Sequence, residues 1–138
     1  ELEPLATSSE YLIGAWKSAC LVPDENSDYA EQHYFVFYPN RTATHTRETF
    51  YKKTCTVSDL TLVDNYNYTI PTAGQINFTN LSTGQTFYDT YQVQTDSLTF
   101  GHGFRNTLPY PTTTGTSESD RLSTLNQYIV YSKELRYQ

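Results

Sequence analysis

From residue 33 to residue 100 the chain repeats one pattern about every ten residues: a short stretch of alternating polar and apolar side chains, then a turn. "HYFVFY" (33–38) runs into "PNRT", and "TATHTRETFY" (42–51) returns, which reads as a hairpin. "NYNYTIP" and "GQINFTN" follow, joined through "PTAG". "TFYDTYQVQ" and "SLTFGHG" come next, each after a turn rich in Gly, Thr, Ser or Asp. The stretch near Leu60 to Val63 is ambiguous and reads as a further short strand. Upstream, Tyr11 to Cys20 alternates and reads as the first strand; downstream, "QYIVYSKEL" (127–135) reads as the last. "SESDRLSTLN" (117–126) has room for one or two helical turns, with Ser117 as cap and Asp120 three residues on. The expected fold is all-β: about eight antiparallel strands in up-and-down order, closed into a barrel, with a short helix before the last strand. Residues 1–10 read as a flexible leader or tether, and 11–138 as the barrel domain.

Composition narrows the surroundings. The 138 residues include 13 Tyr and only 17% charged residues, against roughly 25% in an average soluble domain. Tyr and Thr favour strands. The net charge of −6 disfavours nucleic acid and anionic membranes as partners, because the average field repels them. No apolar run approaches the ~20 residues of a membrane-spanning helix. Cys20 and Cys55 allow a single internal pair. Low charge and an even cysteine count point to an extracytoplasmic setting (periplasmic, outer-membrane-anchored or secreted), and therefore to a disulfide.

Chemical motifs are sparse. His33, His45 and His102 show no metal-ligand spacing, although His33 and His45 can meet across the hairpin. No G-x-S-x-G occurs, and neither cysteine has a basic neighbour in a recognisable frame. Asp89 and Glu48 read as salt-bridged or solvated carboxylates; with His45 and His102 they are the best seeds for catalysis. The expectation is a protein without enzyme activity, metal or cofactor. The tyrosines are the stronger signal. Their rings can line a pocket for an amphipathic molecule, or fill the core and brace neighbouring strands. Tyr34, Phe87, Tyr91, Phe100 and His102 are the candidate ligand-binding residues.

Gly14-Ala15-Trp16, on the first strand of an eight-stranded meander, resembles the first sequence motif of the lipocalins and the wider calycins. The resemblance implies that Trp16 lies at the closed end of the barrel, that Gly14 permits a close approach, and that a late basic residue packs over the indole. Arg121 is the preferred candidate and Arg136 the other. The family's second motif, T-D-Y, has no clear counterpart. A lipocalin-like domain of a bacterial exported protein or lipoprotein therefore fits best, residues 1–10 being its tether. The implied function is binding of a small hydrophobic or amphipathic ligand. The alternative is an inhibitor, immunity or structural protein of the envelope, recognising a protein partner through the long "GHGFRNTLPYPTTTGTSES" segment (101–119).

Overall fold

A computed structural model describes residues 9–22, 26, 28–101, 117–122, 124–125 and 129–134. A 3-10 turn, Ser9–Leu12, precedes eight strands: β1 (Gly14–Ser18), β2 (Ala30–Phe37), β3 (Thr42–Phe50), β4 (Ser58–Thr69), β5 (Gln75–Asn80), β6 (Thr86–Val93), β7 (Ser97–Phe100) and β8 (Tyr131–Lys133). Each pairs with the next, and β8 returns to pair antiparallel with β1, so the sheet closes as an up-and-down barrel. No helix among the described residues is long and apolar enough to cross a membrane.

Alternation decides which side chains face the lumen. In β2 the buried row is Glu31, His33, Phe35 and Phe37; in β5 it is Ile76, Phe78 and Asn80. In β6, Asp89, Tyr91 and Val93 are buried, and Phe87 on the same row packs against the core. The turns use local chemistry. Asn80 Oδ1 accepts the amides of Ser82 and Thr83, and Gly84, at φ 78°, donates back to the Asn80 carbonyl, which turns β5 into β6.

Three local expectations change. Leu60–Val63 and the "NYNYT" stretch are one strand: Asp64 pairs with His45 and continues the ladder, so β4 runs for 12 residues. The first strand starts at Gly14, because Tyr11 and Leu12 belong to the 3-10 turn. The expected helix is a single 3-10 turn, Glu118–Asp120. Ser117 Oγ bonds the Asp120 carboxylate rather than a backbone amide, and Arg121 is already extended at ψ 134°. Residues 1–8, most of the leader, lie outside the described residues.

The two ends of the barrel differ. The 3-10 turn and the start of β1 cover one end. At the other, the Cys20–Cys55 disulfide ties the chain leaving β1 to the β3–β4 connection, across a separation of 35 residues. A crosslink over that separation removes about 4 kcal/mol of chain entropy from the unfolded state in the loop-closure model. Reduction, or paired Cys20→Ser and Cys55→Ser substitution, is expected to lower the unfolding free energy by about 2–4 kcal/mol; denaturant titration with and without reductant measures it.

Candidate functional site

Trp16 is fully buried, and its Nε1 donates to the Leu12 carbonyl at 2.8 Å, so the indole plugs the end that the 3-10 turn covers. The cation on the ring is Lys133, with Nζ 4.6 Å from the ring centre; it is not Arg121. The reason is register. Lys133 is the direct cross-strand partner of Trp16 and shares its face, and Nζ goes on to donate to the Ile13 carbonyl at 2.6 Å. Gly14 makes room: a Cβ there would stand 2.7 Å from that Nζ, and its φ of +130° disfavours any side chain. Arg121 works elsewhere. It donates to the Asp89 carbonyl at 2.7 Å and to Asn77 Oδ1 at 2.6 Å, lies over the Tyr88 ring and pairs with Glu118. It therefore straps the late segment to the outside of β5–β6. Arg136 lies outside the described residues.

Above the Trp16 plug the lumen is filled with rings. Phe35 meets Phe37, Phe78, Phe100 and Tyr131 at centroid distances of 5.1 to 6.0 Å, and Tyr68 and Tyr66 close the group against Phe37 and Phe78. Tyr91 and Phe100, candidates for ligand contact, are buried in this packing. Phe87 is half-buried against it. Tyr34 lies on the opposite row of β2, facing outward, where its hydroxyl reaches Gln32 and Glu48 and its ring helps to line a hollow of about 180 Å³. Of the four candidates that are described, Tyr34 faces away from the other three; His102 lies outside the described residues.

Toward the disulfide end the lumen turns polar. Glu31 Oε1 is 2.7 Å from His33 Nε2, and His33 Nδ1 is 2.9 Å from His45 Nε2. All three side chains are buried, and Tyr29 donates its hydroxyl to the second Glu31 oxygen. The contacts form one chain, Glu31 to His33 to His45, in which the tautomers of the two imidazoles set which ring nitrogen donates. His45 also stacks on Phe35 at 4.6 Å, so the imidazole is fixed from two directions. It reaches a pocket of about 150 Å³ that it lines with Arg47, Leu62, Asp64 and Tyr66. Arg47, one of these residues, has its Nε buried without a hydrogen-bond partner among the described residues. A buried, unmet guanidinium N–H calls for an acceptor.

Sequence reasoning allowed His33 and His45 to meet but passed over Glu31, Arg47, Asp64 and Lys133. The signal for Glu31 was its i, i+2 relation to His33, which puts both on one strand face. Asp89 and Glu48 do not share a site. Asp89 is buried and accepts the amides of Thr90 and Gly101, whereas Glu48 receives the Tyr34 hydroxyl outside. Among the described residues no group of three His, Cys, Asp or Glu is placed to hold a metal ion. No protein-family model, curated protein or solved structure matches this chain.

Burial raises the tyrosine hydroxyls of the lumen. Tyr66 is pushed up to about 12, by desolvation first and by the Asp64 charge second; Tyr131 rises further, by desolvation and then by Asp89. Desolvation also leads the rise in Tyr68 and Tyr91. The folded chain therefore holds phenol protons that the unfolded chain releases near the ordinary value of 10.0. This stabilisation is complete below pH 10 and falls as pH rises through about 12. Lys133, lowered by desolvation, works the other way below 10.5, where its folded form binds fewer protons than the unfolded chain. Stability is expected to drop steeply above pH 10, and in a spectrophotometric titration Tyr66 and Tyr131 ionise only together with loss of the folded near-ultraviolet dichroism signal.

Proposed function

We propose that the protein is an extracytoplasmic, lipocalin-like binding protein that takes a small amphipathic ligand at the mouth of its barrel. The observation that carries this reading is the pocket formed by His45, Arg47, Leu62, Asp64 and Tyr66, one of whose residues, Arg47, has its Nε buried without a hydrogen-bond partner among the described residues. Leu62 and the Tyr66 ring offer apolar contact, and the Arg47 guanidinium offers donors, a mixture that suits a short apolar body with an acceptor or anionic head. The packed rings below set the depth, so the ligand sits above Phe35 rather than among the aromatics. The Glu31–His33 pair holds His45 in one orientation and so pre-organises the wall. The disulfide is in keeping with an oxidising compartment.

The binding reading rests on the pairing of an apolar wall, Leu62 and the Tyr66 ring, with the guanidinium of Arg47 in one small pocket. Titration calorimetry with hexanoate, and with hexylamine as its cationic counterpart, tests the reading. Hexanoate is expected to bind more tightly, and Arg47→Gln to weaken it about tenfold or more, as loss of a charge-assisted hydrogen bond implies. Equal affinity for both probes, or no response to the substitution, would sink it.

A further inference from the structure

The pocket at the mouth carries two opposite charges on one face of the sheet. His45 stands opposite Asp64, and Arg47 opposite Leu62, so alternation puts all four on the lumen side of β3 and β4. Arg47 and Asp64 are then diagonal neighbours, with backbones about 7–8 Å apart. Tyr66 continues the row of Leu62 and Asp64, so an apolar side chain flanks the carboxylate on either side. Burial first and the Asp64 charge second push the Tyr66 hydroxyl up to about 12, which fits a carboxylate turned toward the pocket. Among the described residues Arg47 and Asp64 are not joined in an ion pair, although one pocket of about 150 Å³ is lined by both.

We infer that the ligand of this pocket is a zwitterion with adjacent charges, an amino acid with an apolar side chain, its carboxylate on Arg47 and its ammonium on Asp64. This class rests on the ligand reading above and sharpens it. A plain anion on Arg47 meets the Asp64 charge as a repulsion at close range. An ammonium beside the carboxylate turns that repulsion into an attraction, so the same wall that accepts the zwitterion discriminates against the anion. Spacing selects the kind of zwitterion. Arg47 and Asp64 are neighbours, so the two charges of the ligand must be neighbours too; a chain charged at its two ends cannot reach both and still lay its body on Leu62 and Tyr66. Exposure sets the orientation. Asp64 is exposed and Tyr66 is buried, so the ammonium stays near water while the apolar side chain turns inward. An ion pair at an exposed carboxylate is weak, so Asp64 supplies selectivity of roughly two- to fivefold, and Arg47 with the apolar wall supplies the rest of the affinity.

Titration calorimetry at neutral pH with hexanoate, 2-aminohexanoate and 6-aminohexanoate tests it, since the three share one carbon chain. 2-Aminohexanoate is expected to bind roughly two- to fivefold more tightly than hexanoate, and 6-aminohexanoate no more tightly than hexanoate. Asp64→Asn is expected to move two probes in opposite directions: 2-aminohexanoate weakens, and hexanoate strengthens because the like charge is gone. Asp64 is exposed, so the variant is expected to keep the fold, which circular dichroism checks. If hexanoate binds and responds to Arg47→Gln, but 2-aminohexanoate binds no more tightly or Asp64→Asn shifts both probes alike, the zwitterion is overturned and the ligand reading stands. If none of the three binds, or Arg47→Gln leaves all of them unchanged, both are overturned.

Discussion

The ammonium of Lys133 over the indole of Trp16 closes this barrel. Among the described residues β8 pairs with β1 over three positions and with β7 over two, each ladder extended by one backbone bond, from the Glu134 amide to Ala15 and from the Lys133 amide to Asp96, so the seam is short. One side chain makes up the deficit. Lys133 crosses from β8 to the face of Trp16 on β1 and ends on the Ile13 carbonyl, next to the 3-10 turn whose Leu12 carbonyl receives the indole N–H. First strand, last strand and plug meet at one point. Gly14 is the condition for it, since any side chain there would occupy the path of the ammonium. The attraction of a cation to an indole face is about 0.5–2 kcal/mol, and here it is added to a hydrogen bond in a partly desolvated setting.

Closure at that point sets the character of the lumen above it. A small barrel has room for its own side chains, and the rings around Phe35 fill the lower part. A linked polar group stands toward the disulfide end, on the inner rows of β2 and β3. There Glu31, His33 and His45 satisfy one another, which is the condition for burying a carboxylate and two imidazoles at tolerable cost. Residues 58–64 of β4 run beyond its pairing with β5, and the inner row there, Leu62 and Asp64, walls the pocket.

Much of this fold was legible from alternation and turn chemistry. The barrel, the strand order and the Cys20–Cys55 bond all followed from strand-length segments and a single possible cysteine pair. The site was less legible. "HYFVFY" carries aromatic residues on both rows, so alternation alone does not say which row faces inward; Tyr34 fell outside and His33 inside. Glu31 stands at the end of "VPDENSDYAE", which reads as a break, and so escaped notice as the residue that orients His33. The closing cation was sought among arginines, while the register of β8 against β1 puts Lys133 opposite Trp16. Cross-strand register depends on where β8 begins, and that is a property of the closed sheet rather than of any local segment.

A double-mutant cycle on Lys133 and Trp16, using Lys133→Met, Trp16→Phe and the double variant in reversible denaturation, tests the closing interaction most directly. The account predicts a favourable coupling of about 1–2 kcal/mol between the two positions, with β8 amides losing hydrogen-exchange protection first in Lys133→Met. Additive effects, with β8 as protected as in the unsubstituted chain, would contradict it.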